Sequence, residues 1–323
     1  MSIKHASLKV ARVTGLSALA RKRTASSLRI LGYHGLWITP GDAFGDCTFI
    51  GVDQFADRMA RLRESGAPVL RLGDAIAHRA AGTMPANAVV ITIDDGWATT
   101  YTHMLPILER YALPATLYAT TWYSQHDMPV INVVVDYLLQ AAGRPATQRH
   151  AAIAAIEELP VGDRLAALRA FGADLGIDEA WFERRQFHNM TAAELADAHA
   201  RGLDIQLHTH RHIDVATRVD ELPQEIADNR AFLEAAVPGI RLDHFCYPGG
   251  GYHPRADRYL DAAGVRSSTL IAEGINPPGT NPHRLRRLLD GRNIDDETFD
   301  AYLSGSLHYL SSLRTGTARL LGS

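Results

Sequence analysis

Two short stretches concentrate groups that bind metals and move protons. "DIQLHTHRH" (204–212) places His208, His210 and His212 within five positions, and "TIDDG" (92–96) sets Asp94 beside Asp95. Neutral imidazole is the commonest metal ligand in proteins. Catalytic zinc sites take three protein ligands and leave a fourth position for water, so two histidines and a carboxylate would complete a set. The same combination matches the facial triad of non-haem iron, and ligand type alone does not fix the metal. Four-residue spacing puts His208 and His212 on one face of a helical turn, whereas His208 and His210 share a face only in a continuing strand. Adjacent aspartates at a strand end point different ways, so one can bind a metal while the other faces a proton.

Each stretch also has a plain structural reading: a surface histidine patch, and an Asp-Asp-Gly turn. Their context favours chemistry. "AVVITIDDG" (88–96) is a continuous apolar run closed by the aspartates, as in a strand buried on both faces of a parallel sheet. "LDIQL" (203–207) alternates and runs into the histidines like a strand entering a loop. Parallel α/β folds carry their sites at this C-terminal end of the strands.

The elements that must position these residues follow from periodicity. "LRILGYH" (28–34) reads as a first strand and "GVDQFADRMARLRESG" (51–66) as an amphipathic helix with Phe55, Met59 and Leu62 on one face. "YTHMLPILERYAL" (101–113) reads as a helix containing Pro106, and "PATLYAT" (114–120) as the next strand, giving a βαβ unit. Alanine- and leucine-rich helical patterns fill about 132–200, a helical insertion in which Thr191 and Glu194 form a capping box. Strand patterns return at 203–208, 242–247 and 265–271. The expected organisation is an arm or helix over 1–27, a catalytic α/β unit over 28–300, and a polar, partly helical tail over 301–323.

The chain has 323 residues, enough to bury a full core without staples. A net charge of −3 gives no sign of nucleic-acid binding. Cys47 and Cys246 form no CxxC pair, so a disulfide framework is not expected. The N-terminal segment carries Lys4, Lys9, Arg12, Arg21, Lys22 and Arg23 with no acid before Asp42, and lacks a signal-peptide core. The expected location is therefore cytoplasmic. Leu8, Val13, Leu16 and Leu19 could form one face of a basic helix, packed on the protein itself or in peripheral contact with the inner membrane surface.

"TIDDG" followed by "HTHRH" resembles the first two motifs of the polysaccharide deacetylases, the NodB-like carbohydrate esterases, whose usual forms are TFDDG and H-S/T-x-x-H. "FCYPGGGYHP" (245–254) resembles the third, and "LGYHG" the opening of a branch that starts on a Tyr-His strand. The resemblance covers roughly residues 28 to 300. It implies a distorted (β/α)₇ barrel, with Asp95, His208 and His212 as ligands of a divalent metal, zinc above others, and Asp94 as general base. The backbone N–H of Gly249 would help hold an oxyanion. Tyr247, Pro248, His210 and Trp97 are the candidate substrate contacts. Cys246 stands where many members carry an arginine that orients the base, so Arg286 or Arg287 would have to reach in. The late histidine that serves as acid has no clear counterpart, and His34 is the candidate for that role.

The implied reaction is hydrolysis of an N-acyl group, acetyl or formyl, on an amino-sugar glycan or glycolipid precursor. Two other functions share these residues: an amidase acting on a small or cyclic amide, and a carbohydrate-binding relic without catalysis.

Overall fold

The computed structural model describes residues 16–311 apart from 42, 43, 46 and 47. The described residues form ten strands: β1 (Arg29–Tyr33), β2 (Gly35–Trp37), β3 (Phe49–Gly51), β4 (Val69–Leu70), β5 (Val89–Ile93), β6 (Thr116–Ala119), β7 (Asp204–Leu207), β8 (His244–Cys246), β9 (Ser267–Thr269) and β10 (Leu288–Leu289). The main sheet runs β10-β1-β5-β6-β7-β8-β9, with β4 added beside β5, and every pair in it is parallel. Beyond β9, Leu285 N donates to Ser268 O and Leu270 N to Leu285 O, drawing that edge toward the chain that enters β10. The result is the curled parallel barrel of the (β/α)₇ type, with a small β2-β3 pair outside it.

All five residues of β5 are buried, as the unbroken Val-Val-Ile-Thr-Ile run requires of a strand covered on both faces. The helix Val52–Glu64 buries Phe55, Met59 and Leu62 against the sheet, the face its periodicity predicts. The helix expected over 101–113 forms in two pieces, a π-helical turn at Thr100–Met104 and an α-helix at Leu105–Arg110. Pro106 explains the break, since it has no N–H to donate and its ring crowds the preceding turn.

Helices Ile131–Ala141, Arg149–Glu157, Val161–Asp174 and Ala180–Glu183 lie between β6 and β7 and share a core of their own. Val134, Leu138, Leu168, Trp181 and Phe187 pack there with Trp37 and Phe49 of the β2-β3 pair. Gln186 ties the insertion down, accepting from Ile38 N at 2.8 Å and donating to Leu36 O at 2.9 Å. The Thr191–Glu194 capping box is formed, in both directions.

The helix Asp296–Leu303 crosses the boundary expected at 300. It buries Phe299, Tyr302 and Leu303, and the Tyr302 hydroxyl donates to Ile30 O at 2.9 Å. Through these contacts the chain to Leu303 packs against the barrel core. At the other end, the helix Leu16–Arg23 buries Ala20, while Leu19 is exposed. The expectation of membrane contact through 1–27 rests in part on Leu8 and Val13, which lie outside the described residues. No described helix is long and apolar enough to cross a membrane.

Asp290, just after β10, is buried between the Tyr33 hydroxyl (2.9 Å) and Arg58 Nε (3.1 Å). Burial pushes its carboxyl up to about 6, outweighing the nearby Arg58. The unfolded value is about 3.9, so the folded state holds this proton more tightly. The associated stability is fully present below about pH 4 and lost as pH rises through about 6. Asp290→Asn should flatten the dependence of the thermal midpoint on pH across that window. An unchanged slope would assign it to another group.

Candidate active site

The C-terminal ends of β1, β5, β7 and β8 deliver His34, Asp94 with Asp95, His208, and Tyr247 to one end of the barrel. Asp95 Oδ1 lies 3.2 Å from His208 Nε2 and 3.3 Å from His212 Nε2. Metal–ligand bonds of about 2.0–2.1 Å at tetrahedral angles would hold donor atoms about 3.3 Å apart. Asp95 thus already stands at coordination spacing from both histidines, and the three donor atoms lie within 4.8 Å of one another. His208 Nδ1 donates to Cys246 O at 2.8 Å, which leaves Nε2 as the free nitrogen facing Asp95. Trp97 Nε1 donates to the other Asp95 oxygen at 2.9 Å.

The backbone is bent to achieve this. Asp95, Thr209 and His212 adopt left-handed φ values of 71°, 62° and 55°. Non-glycine residues held there carry strain that tends to collect at functional sites. The His208–His212 segment is therefore a loop with two residues, Thr209 and His212, in the left-handed region, not the helical turn that the four-residue spacing suggested. Asn229 anchors it, accepting from His208 N and donating to Ala119 O, both at 3.0 Å. Asn189 supports the opposite side, its Nδ2 donating to Asp95 O at 2.6 Å. Neither asparagine stands out in the sequence, since each sits far from the motif it braces.

Asp94 points the other way. Arg287 Nη1 and Nη2 donate to its Oδ1 and Oδ2, both at 2.7 Å, in a bidentate pair. Arg287 is fully buried, and its remaining donors reach Leu270 O, Thr92 Oγ1 and the Cys246 sulfur. Burial pushes the Asp94 carboxyl up, but the adjacent guanidinium outweighs it and holds the group below the usual carboxylate range. Of the two arginines considered from sequence, Arg287 fills the place where Cys246 has no charge. Gly32 makes room for it: a side chain there would meet Leu289 Cδ2 at 2.5 Å and Arg287 Nη1 at 3.4 Å.

Asp94, His208 and Cys246 form a second cluster within ligand reach of one another. It is the poorer cation site, because Arg287 already occupies both Asp94 oxygens and touches the sulfur.

His34 Nε2 lies 3.7 Å from Asp94 Oδ2, with the side chain 16% exposed. His210 turns away from Asp95, is hydrogen-bonded through Nδ1 to Thr121 Oγ1 at 2.8 Å and is buried. Tyr247 and Pro248, also expected as substrate contacts, follow β8. Tyr247 packs between Phe245 and Tyr252, and both residues are buried because β8 and its short helical turn lie inside the barrel mouth. Gly249, in that turn, is exposed with φ 58°. Trp97 is almost wholly buried and acts on Asp95, with one edge on a cavity of about 250 Å³ between the strand ends and the helical insertion.

The polysaccharide deacetylase family matches over residues 81–268. The poly-β-1,6-N-acetyl-D-glucosamine N-deacetylase of Escherichia coli K12 is 38% identical over 82 residues, 24% of this chain and only 12% of that protein's length. Streptococcus pyogenes deacetylase PplD, solved with acetate, superposes with a TM-score of 0.61 at 17% identity, covering 87% of this chain and 99% of that one. IcaB from Ammonifex degensii gives 0.58 at 19%, covering 86% and 97%. These two structures share the fold. With the family match spanning more than half of its length, this chain belongs to the polysaccharide deacetylase family.

Proposed function

We propose that the protein hydrolyses the N-acyl group, acetyl first, of an amino-sugar glycan or glycolipid. The observation that carries this is the division of labour at "TIDDG": one aspartate joins two histidines at coordination spacing, and its neighbour is held ionised by a buried arginine. A binding-only relic has no use for a base in that position. The name of the Escherichia coli relative supports an N-acetylglucosamine polymer as the substrate class.

Asp95, His208 and His212 would hold a divalent ion, for which zinc is the candidate. Bound there, the metal supplies Lewis acidity toward a water and the acyl carbonyl. Asp94 takes the proton of the attacking water, and Arg287 keeps both Asp94 oxygens aligned for it. The Gly249 amide is assigned to the developing oxyanion; a well-placed donor of this kind contributes about 3 kcal/mol. His34 is assigned the transfer of a proton to the departing amine. It is the remaining histidine beside Asp94, since His208 and His212 face Asp95 and His210 is tied to Thr121. The cavity beside Asp95 would also admit a small N-acyl compound, and a substrate panel separates that reading from the glycan.

Metal content tests the ligand assignment. His208→Ala and His212→Ala should each lose most of the metal by atomic spectroscopy, and His210→Ala should retain it near stoichiometry. Equal loss in all three would refute the assignment. Chelation of the wild type should abolish hydrolysis, and added zinc should restore it.

A further inference from the structure

Opposite Asp95 and His212, the 250 Å³ cavity is walled by Asn132 and Glu157 of the helical insertion and by Tyr123 of the short helix Trp122–His126 just before it. Among the described residues, neither the Asn132 amide nor the Glu157 carboxylate has a hydrogen-bond or ion-pair partner; the buried Asn189 Oδ1 on the cavity wall is also unpartnered, whereas several other polar groups around the cavity are committed. Arg211, also on its edge, is held by Glu225 and Asp228. Thr120 donates to Thr209 O and His210 O. Burial and the neighbouring Glu157 push the Tyr123 hydroxyl up to about 12, so it remains a donor at neutral pH. Ligand cavities typically combine apolar walls with a few convergent polar groups. Here Val130 and Val133 supply apolar wall beside those three side chains.

We infer that the insertion builds a sugar-binding subsite across from the catalytic groups, in which Asn132 and Glu157 bind hydroxyls of the ring and the unpaired Glu157 carboxylate selects neutral or cationic amino-sugar glycans over anionic ones. The inference rests on the deacetylase reading and names what that site accepts. A sugar hydroxyl donates to Glu157 without needing a counter-charge, and the free ammonium of an already deacylated neighbouring unit gains a charge-assisted bond there. A uronate or phosphate at the same place meets like-charge repulsion.

The test compares four substrates: a neutral N-acetylglucosamine oligosaccharide, a partly deacetylated one, one carrying a uronate, and an aryl acetate that presents the acetyl group without a sugar. Two exposed or half-exposed positions are altered, Asn132→Leu and Glu157→Lys. Asn132→Leu should lower kcat/KM on the neutral oligosaccharide about tenfold more than on the aryl acetate, mainly through KM, the size expected for lost neutral hydrogen bonds. Glu157→Lys should move the preference away from the partly deacetylated oligosaccharide and toward the uronate. Equal losses on sugar and aryl substrates, or an unchanged charge preference in Glu157→Lys, overturn the subsite. A metal-replete wild type that cleaves the aryl acetate and none of the oligosaccharides would instead overturn the glycan deacetylase reading.

Discussion

Asp94→Asn is expected to bind metal and turn over almost nothing. The ligands Asp95, His208 and His212 are untouched by the substitution, so metal content should stay near that of the wild type. What is lost is the proton acceptor, and general-base catalysis is typically worth about 10²- to 10⁴-fold. Extra zinc should not rescue the variant. Asp95→Asn should behave oppositely: metal-poor, and partly restored in excess zinc. Asp94→Asn also deprives buried Arg287 of its counter-charge, so its thermal midpoint should fall. Metal and turnover are therefore read well below that midpoint. An Asp94→Asn protein that loses its metal while Asp95→Asn keeps it would invert the two roles.

Arg287→Met should be the most destabilising single change at the site. It leaves the Asp94 carboxylate buried and unpaired, and breaking a buried pair from one side typically costs about 3–5 kcal/mol. The hydrogen bonds to Leu270 O and Thr92 Oγ1 disappear with it. Activity should fall as well, because Asp94 loses the two contacts that orient it. Arg287→Lys keeps the charge without the two-pronged geometry and should lie between wild type and Arg287→Met in both measurements. Denaturant unfolding gives the first number and kcat the second. If Arg287→Met matches the wild type in both, the pair contributes to neither stability nor catalysis.

The parts of the fold that could be read from sequence are those with strong periodicity or unbroken apolar runs. β1, β5, β6 and β7 and the helix Val52–Glu64 fall where their patterns put them. β10 was invisible because two residues, Leu288 and Leu289, carry no alternation to recognise. That gap explains why the choice between Arg286 and Arg287 stayed open: without a strand after them, nothing says which points into the barrel. The β2-β3 pair, three residues each, was missed for the same reason. At the site, Asp94, Asp95, His208 and His212 were legible because they cluster in sequence. Asn189 and Asn229 were not, since each reaches its motif across the fold. The burial of Tyr247 follows from tertiary packing that no local pattern encodes.

The most direct measurement is mass spectrometry of an N-acetylglucosamine oligosaccharide after incubation with the zinc-loaded protein. Stepwise loss of acetyl groups, with free acetate and new amines, is the predicted result, and it should vanish in Asp94→Asn at equal metal content. An oligosaccharide left intact by zinc-loaded wild type, or deacetylated equally well by Asp94→Asn, would contradict it.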